Sequence, residues 1–239
     1  MHYDLDMVLI PEGWFWMGSA DHYTWESPRH RVWLDWFEIG RTPVTRGEYK
    51  IFLNSTGYGE PKGWGDPCFQ GPDMPVVGVS WFAAVAYCEW LSKSGAGEYR
   101  LPTEAEWEKA CRGGIENTEY AWGNEPPETI EYFRTPWPAP RRVAEWFSNG
   151  YGLFNMGDNV HEWCSDWYSE DYYSQTPERN PTGPENGTRR VSRGGSWRHQ
   201  VKASRAAHRS SLPPHYEYTD YGFRVVRKGK AKEIRGPTP

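Results

Sequence analysis

Arg193-Gly194-Gly195-Ser196-Trp197 is the stretch of this chain on which the fold depends, because its paired glycines let one backbone segment pass close to another. It closes a segment, 190–197, that has the pattern of a short strand. Two further strand-like segments, 159–168 and 221–227, lie on either side of it. We therefore expect the second half of the chain to form short strands connected by irregular backbone.

The sequence pattern of the first half of the chain predicts strands followed by helices. Helices are expected after Thr45, Ser80 and Thr103, and the first and third of these have a Glu three residues later, which is the capping-box spacing. Residues 115–150 are rich in proline, tryptophan and charge and predict an irregular loop. The order indicates an α+β fold with little regular secondary structure. Strand-forming residues occupy 7–11, 13–18 and 31–39.

Composition limits the class of protein. Aromatic residues make up 16% of the chain, including 15 Trp and 15 Tyr, so rings can supply a core although aliphatic residues are few. The 27 basic and 32 acidic residues give a net charge of −5, which argues against nucleic-acid binding. No run approaches the roughly 18 apolar residues of a membrane span. The acidic start Met1-His2-Tyr3-Asp4 lacks the pattern of a leader, so we expect a cytoplasmic protein with no membrane partner.

We expect a single domain over residues 1–239, with a core over about 5–227 and a basic tail at 228–239. The cysteines have no Cys-x-x-Cys spacing, so a disulfide framework is not indicated. Cys88 and Cys111 lie in helix-like segments among apolar neighbours and are expected to be buried free thiols. No pattern in the sequence fixes an oligomeric state.

Eight short motifs follow one another along the chain. They are Met7–Gly18, Thr42-Pro43-Val44-Thr45, Pro75-Val76-Val77-Gly78-Val79-Ser80-Trp81, Arg100-Leu101-Pro102-Thr103-Glu104-Ala105-Glu106-Trp107-Glu108, Tyr120-Ala121-Trp122-Gly123, Asp158-Asn159-Val160-His161-Glu162-Trp163, Arg193–Trp197 and Gly222-Phe223-Arg224-Val225. Their order and spacing resemble the formylglycine-generating enzyme family, also called the sulfatase-modifying factor family. The resemblance covers about residues 5–227 and implies that family's variant of the C-type lectin fold.

The family that these motifs resemble is functionally mixed. It includes copper-dependent oxidases that convert a sulfatase cysteine to formylglycine and catalytic domains of ergothioneine-type sulfoxide synthases. It also includes a pyoverdine-maturation protein and variable ligand-binding proteins of diversity-generating retroelements. The resemblance therefore implies a fold, and the activity has to be argued from the site residues.

The segment 155–162 is the candidate metal site. A hard cation such as Ca²⁺ takes about six to eight oxygens and combines carboxylates with main-chain carbonyls. The resemblance implies a structural calcium held by the side chains of Asn155 and Glu162 and by the main-chain oxygens of Asp158 and Val160. The alternative is that Asn155 caps a turn and that Glu162 pairs with an arginine.

The copper chemistry of the family depends on two cysteines that follow the Gly-Gly-Ser segment, since soft thiolates select Cu(I). The resemblance places His199 at the first of these positions and the second near Ser204. No cysteine follows Cys164 in the sequence. The sequence therefore excludes a two-cysteine copper site.

Histidine is the remaining residue type in this region that suits a transition metal. His199, His208 and His215 have spacings of 9 and 7 residues, which is not a metal-binding signature. His161 stands where the family often has tryptophan. Pocket-lining or surface roles are therefore favoured, and metal binding by His161, His199 or His208 stays an open alternative.

The loop 197–221 is the candidate ligand pocket, because rings stack on ligands and guanidinium groups bind carboxylate or phosphate. The candidate catalytic residues are Ser196, His199 and His208, of which Ser196 and His199 have the residue types of a nucleophile and its base. Their three-residue spacing does not define an orientation. The predicted pocket residues are Trp197, Arg198, His199, Gln200, Arg205, His208, His215, Tyr216 and Tyr218.

Two functions of different classes follow. The first is an atypical family member that acts on or binds a small molecule or peptide without two-cysteine copper chemistry; as an enzyme it would have an oxidoreductase-like or maturation activity. The alternative is a lectin-fold ligand-binding module, which includes the retroelement type of variable protein. Variable segments of that type are often rich in asparagine, and no asparagine follows Asn186. Neither the ligand nor catalysis itself follows from the sequence.

Overall fold

The architecture comes from a computed structural model that describes residues 5–134, 137–199 and 203–228. Helix and strand account for 23% and 22% of the residues, which confirms the α+β class and the low content of regular structure. The helices in these ranges are α1 Arg46–Thr56, α2 Trp81–Leu91, α3 Glu104–Cys111 and α4 Glu131–Arg134. The strands are β1 Met7–Ile10, β2 Gly13–Met17, β3 His30–Leu34, β4 Phe37–Gly40, β5 Tyr99–Arg100, β6 His161–Trp167, β7 Arg190–Arg193, β8 Arg209–Leu212, β9 Tyr221–Gly222 and β10 Val226–Arg227.

The three predicted helices begin at their predicted caps. Thr45 Oγ1 accepts the Glu48 N–H at 3.2 Å, and the Glu48 carboxylate accepts the Thr45 N–H at 2.7 Å. Thr103 and Glu106 form the same box at the start of α3, and Ser80 caps α2. These bonds pair N–H groups that a helix start otherwise leaves without a partner. No helix within the described ranges is long and apolar enough to cross a bilayer.

The prediction of one strand over 31–39 is wrong, because the structure has two strands there in different sheets. Asp35 separates them. Its N–H donates to Asn180 Oδ1 at 2.9 Å, and its carboxylate accepts hydrogen bonds from Asn180 and Arg179. β3 therefore pairs with β2, whereas β4 lies between β1 and β10 in the four-stranded sheet of order β1-β4-β10-β5.

The second four-stranded sheet has the order β8-β7-β6-β9 and contains His161 and Glu162 on β6, and the other candidate site residues lie in the segments that precede or connect its strands. β6 runs antiparallel to β7 and parallel to β9, with His161 opposite Tyr221. The predicted strand over 190–197 is too long: β7 ends at Arg193, since Gly194 turns the chain with φ 79°. The predicted strand over 221–227 is likewise two strands, β9 and β10, in different sheets. The sequence patterns do not predict β5, β8 or α4.

The core joins these sheets to the helices through aromatic side chains and buried ion pairs. Tyr49 of α1 and Tyr87 of α2 stack at 5.7 Å and pack against Phe223, all with exposures of 1% or less. Fully buried Arg193 donates to Glu104 at 3.0 Å and to Glu108, both on α3, at 2.7 Å. β7 is therefore held to α3 by charge-assisted hydrogen bonds. Cys88 and Cys111 are buried and free, as expected.

Candidate functional site

The Gly194-Gly195 turn fixes the base of the candidate site. The Gly195 N–H donates to the Gly157 carbonyl at 2.9 Å, and the Trp197 N–H donates to the Asn159 carbonyl at 2.8 Å. A Cβ on Gly194 would lie 3.2 Å from the Trp107 ring and 3.4 Å from the Gly157 Cα. Gly194 thus leaves little room for a larger side chain at this turn, and the two hydrogen bonds hold the residues after it against 157–159.

His161, His199 and Asp220, which we call the histidine cluster, converge beyond this turn. His161 Nε2 lies 3.0 Å from His199 Nδ1, and Asp220 Oδ2 lies 3.5 Å from that same Nδ1 and 4.0 Å from His161 Nε2. Ser196 Oγ donates to Asp220 Oδ2 at 3.0 Å and lies 3.4 Å from His199 Nδ1. The structure thus brings together two of the three candidate catalytic residues, with a carboxylate between them.

The two histidines of the cluster differ in environment. His161 is buried, and burial lowers its pKa to about 4, so its ring is neutral at neutral pH. The His199 side chain is 60% exposed, whereas that of Asp220 is 4% exposed. The cluster is therefore a buried imidazole and a buried carboxylate covered on the solvent side by His199.

A row of rings leads from the surface to the cluster. Tyr216 and Tyr218 are 40% and 44% exposed and lie 5.7 Å apart, and Tyr218 lies 6.2 Å from Tyr221. The Tyr221 ring lies 4.9 Å from the ring of His161, which in turn lies 5.2 Å from that of His199. We call Tyr216, Tyr218 and Tyr221 the tyrosine face. It joins an exposed aromatic surface to the buried histidine of the cluster.

Trp197 and Arg198 border the same region. The Trp197 Nε1–H donates to the Thr219 carbonyl at 3.2 Å, and Arg198 Nη2 donates to Thr219 Oγ1 at 3.0 Å. Arg198 is exposed and its guanidinium lies 4.9 Å from the centre of the Trp197 ring. The exposed His215 ring lies 4.8 Å from the ring of Tyr216. Trp197 and Arg198 therefore contact Thr219, the residue after Tyr218, and His215 contacts Tyr216 of the tyrosine face.

Arg205 and His208 lie in a different environment from the rest of the predicted pocket. Both Arg205 terminal nitrogens donate to the Glu26 carboxylate, at 2.7 and 2.6 Å, and the Arg205 side chain is only 8% exposed. His208 Nδ1 lies 3.5 Å from Glu26 Oε1. Arg205 also lines a cavity of about 270 Å³ that includes Asp21. The remaining predicted pocket residue, Gln200, lies outside the described residues.

The candidate calcium segment is buried and already hydrogen-bonded. Arg224 donates to the Glu162 carboxylate from Nε at 2.6 Å and from Nη2 at 2.7 Å, and the Trp107 indole N–H donates to it at 2.7 Å. Asn155 Oδ1 accepts the Ala144 N–H at 3.0 Å. The arginine partner considered for Glu162 is therefore present, and a cation at this carboxylate would share it with Arg224.

Asp158 leaves a negative charge in this segment without a cationic hydrogen-bond donor. Its Oδ2 accepts from Asn155 Nδ2 at 3.2 Å and from the Tyr132 hydroxyl at 3.1 Å, and both donors are neutral. Burial raises the pKa of Asp158 to about 6. Its main-chain oxygen accepts the Val160 N–H at 2.9 Å. Two carboxylates and one guanidinium thus share the segment, and an added cation would compensate the remaining charge.

Two sequence comparisons show which family this chain resembles. Residues 3–229 match the family profile described as the sulfatase-modifying factor enzyme 1-like domain. Formylglycine-generating enzymes from Bos taurus and Thermomonospora curvata are each 33% identical over 92% of this chain, which spans 74% and 92% of those proteins. The serine/threonine-protein kinase pkn1 of Chlamydia pneumoniae is 36% identical over 93% of this chain. The chain spans only 38% of that kinase's length.

Solved structures similar to this one include PvdO from Pseudomonas aeruginosa, with a TM-score of 0.82 and 28% identity over 94% of this chain and 95% of that one. The Treponema denticola variable protein 1 has a TM-score of 0.79 and 25% identity over 93% of this chain and 95% of that one. These likenesses confirm the fold that the eight motifs imply.

Proposed function

The chain belongs to the sulfatase-modifying factor enzyme 1-like domain family, and from that premise we propose that it binds a polar small molecule or peptide at the tyrosine face. The ligand would lie across Tyr216 and Tyr218, with Arg198 at one border. The chemistry would differ from that of the copper oxidases of the family, because no cysteine follows Cys164 in the sequence.

The observation that carries this proposal is the pair of exposed tyrosines. Tyr216 and Tyr218 are 40% and 44% exposed and their rings lie 5.7 Å apart, so together they form an aromatic surface open to solvent. Both have an aromatic body and a hydroxyl, so each can stack on a ligand and form a hydrogen bond with it. Rigid tyrosines lose little entropy on binding, which suits a recognition surface.

Arg198 supports a ligand that carries a carboxylate or a phosphate. Its guanidinium is exposed, and its bond to Thr219 Oγ1 uses one of its five N–H groups. A guanidinium presents donors in a planar fork that matches the two oxygens of a carboxylate. A short peptide with a free C-terminus combines that group with apolar and aromatic side chains, and it is the ligand class we favour.

A binding module without chemistry is the second candidate function. It is favoured by the 25% identity with the Treponema denticola variable protein 1 over 93% of this chain. The enzymatic alternative is favoured by the 33% identity with formylglycine-generating enzymes, and it would be an oxidoreductase-like or maturation activity on the bound ligand. Ligand recovered unchanged after long incubation supports the module, and a changed ligand supports the enzyme.

A structural Ca²⁺ at Asn155, Asp158, Val160 and Glu162 is part of the proposal. Its support is the charge of the segment, in which Arg224 compensates one of two buried carboxylates. Ca²⁺ would be held by oxygens of these residues and would compensate the second carboxylate. This role is structural, and the ion would take no part in a reaction.

The test is binding of a library of tripeptides with free C-termini, measured by thermal shift and confirmed by calorimetry. We expect hits that stabilise the protein, and loss of that stabilisation in the double variant Tyr216→Ala/Tyr218→Ala. Arg198→Ala should weaken carboxylate-bearing hits about tenfold and leave C-terminally amidated versions unchanged.

The matched control is Tyr23→Ala. Tyr23 is 47% exposed, like the tyrosines of the face, but it lies next to His208 and Arg205. Hits that survive Tyr23→Ala and are lost in the double variant support the tyrosine face. Hits lost only in Tyr23→Ala would show that the ligand binds beside Tyr23, near Glu26, and not at the tyrosine face. An absence of hits would contradict the peptide proposal.

A further inference from the structure

The histidine cluster has the composition of a transition-metal site. Two imidazole nitrogens and one carboxylate oxygen, from His161, His199 and Asp220, all lie within 4.8 Å of one another. Two histidines and one carboxylate are a ligand set typical of first-row divalent metals, with positions left open for water or substrate. None of these three residues has a sequence spacing that signals the set.

The separations agree with ligands around one ion. Ligand atoms bound at about 2.0–2.2 Å stand roughly 3 to 3.5 Å apart at tetrahedral or octahedral angles. His161 Nε2 lies 3.0 Å from His199 Nδ1, and His199 Nδ1 lies 3.5 Å from Asp220 Oδ2. The third separation, 4.0 Å between His161 Nε2 and Asp220 Oδ2, has to shorten by about half an ångström.

The tautomer of His161 directs a lone pair into the cluster. Its Nδ1 lies 2.5 Å from the Gly194 carbonyl oxygen, which can only accept, so Nδ1 carries the proton. Nε2 of the neutral ring is then an acceptor, and it points at His199. Metal-binding histidines usually donate their other ring N–H to a main-chain carbonyl or a carboxylate. That hydrogen bond fixes both the tautomer and the orientation of the ring.

The contacts of the cluster converge on His199 Nδ1. Three atoms approach it within 3.5 Å: His161 Nε2, Ser196 Oγ and Asp220 Oδ2. A ring nitrogen has one bonding direction in its plane, so one of the three contacts at most is a good hydrogen bond. One cation between His161, His199 and Asp220 satisfies all three ligand atoms together.

Two of the ligands are held rigidly and the third faces solvent. The His161 N–H donates to the Asp220 carbonyl at 2.9 Å, where β6 and β9 run parallel, and Ser196 Oγ holds the Asp220 carboxylate at 3.0 Å. His199 lies in a turn closed by its N–H to the Ser196 carbonyl at 3.1 Å, and its side chain is 60% exposed. A metal bound here would therefore have coordination positions open toward solvent.

We propose that His161, His199 and Asp220 bind one first-row divalent transition-metal ion, with Ser196 as a positioning residue that orients Asp220. The ion would carry two neutral imidazoles and one carboxylate. Its open side would lie next to the tyrosine face, since the Tyr221 ring lies 4.9 Å from that of His161. The site stands on its own residues and does not depend on peptide binding at that face.

The test is titration of the chelator-treated, calcium-supplemented protein with Zn²⁺ and with Co²⁺. We expect one equivalent of each ion to bind, with the visible absorption of protein-bound Co²⁺. His199→Ala and Asp220→Asn should weaken binding by more than about 100-fold, and Ser196→Ala by about 10-fold. His199 is largely exposed and Asp220→Asn keeps the side-chain size, so both variants should melt as cooperatively as the wild type.

The control variants are His208→Ala and His215→Ala, which remove histidines of the same loop outside the cluster. We expect both to bind metal as the wild type does. Absence of stoichiometric Zn²⁺ and Co²⁺ binding would overturn the proposal, and so would equal losses in the cluster and control variants. The ¹⁵N signals of His161 and His199 give a second readout: both should shift on addition of Zn²⁺, and a shift of His199 alone contradicts a shared ion.

Discussion

Glu162 and Arg224 form a two-point ion pair inside the protein, with Nε and Nη2 of the guanidinium donating to the carboxylate at 2.6 and 2.7 Å. Both side chains are at most 1% exposed. Arg224 also donates to the Gly40 carbonyl at 2.9 Å and to the Phe154 carbonyl at 3.0 Å. This one pair therefore connects β6, the end of β4 and the loop that precedes the candidate calcium segment.

Replacing Glu162 by Gln should strongly destabilise the fold. The variant leaves the Arg224 guanidinium buried without its counter-charge, which costs about 3–5 kcal/mol of unfolding free energy. Glu38→Gln is the matched control, because Glu38 pairs with Arg227 at 2.8 Å in a partly exposed position, and we expect a loss below about 1 kcal/mol. The measurement is urea unfolding in excess chelator, so that calcium contributes to neither variant. Equal losses in the two variants would contradict the buried role of the pair.

Removal of calcium should lower the stability of the wild-type protein. An ion that binds the folded chain alone adds about 2.7 kcal/mol at a free concentration 100 times its dissociation constant. Asp158→Asn should weaken this calcium response, because the variant removes the buried charge that the ion would compensate and keeps only the main-chain oxygen that would bind it. The check is the unfolding midpoint with Ca²⁺, with Mg²⁺ and with chelator. A wild-type midpoint that is the same in all three would remove the calcium from the proposal.

Gly78 should tolerate a methyl group much less well than Gly57. Both have left-handed backbone, with φ of 72° and 69°, so alanine strains each of them by about 1–2 kcal/mol. A Cβ at Gly78 would lie 2.0 Å from the Lys62 carbonyl oxygen, whereas nothing lies within 4 Å of one at Gly57. We expect Gly78→Ala to cost at least about 2 kcal/mol more than Gly57→Ala in denaturant unfolding. Similar losses would show that the Lys62 loop moves aside freely.

The elements that the sequence predicts well are those specified by neighbouring residues. The caps at Thr45 and Thr103 are correct because a capping box is closed within four residues. The segments 31–39 and 190–197 are wrong in extent because distant contacts decide them. In 31–39 the break between the strands is held by hydrogen bonds of Asp35 with Asn180, 145 residues later in the chain. In 190–197 the strand ends where Gly194 turns the chain at φ 79°, close against Trp107 and Gly157.

The histidine cluster shows the same limit for the candidate site. His161 and His199 are 38 residues apart, and no spacing rule connects them. Asp220 is not among the site residues predicted from the sequence. Its place next to His161 comes from the parallel pairing of β6 with β9, which the local sequence pattern does not encode. The one local signal is its position directly before a β-strand, the place where a side chain can be presented at a strand end. Arg205 shows the same limit, since Glu26, which binds its guanidinium, lies 179 residues away.

Asp166 should give the protein a pH-dependent stability that falls toward neutral pH. Burial, with the nearby charge of Glu104, raises the pKa of Asp166 to about 7 from 3.8. Between about pH 4 and 7 the folded protein then holds a proton that the unfolded chain has released. The contribution of Asp166 to the unfolding free energy therefore decreases as the pH rises through this window, by at most about 1.4 kcal/mol per pH unit.

The variant Asp166→Asn isolates this effect, because the amide does not titrate and its oxygen can still accept the Glu104 N–H that Asp166 accepts at 2.9 Å. The wild-type unfolding free energy minus that of the variant should fall from pH 4 to pH 7 and then stay level. Asp35→Asn is the opposite control: hydrogen bonds from Asn180 and Trp33 lower the pKa of Asp35, so its contribution is present above the unfolded pKa and is lost on acidification. A wild-type minus Asp166→Asn difference that stays constant or rises with pH would show that Asp166 is ionised in the folded protein.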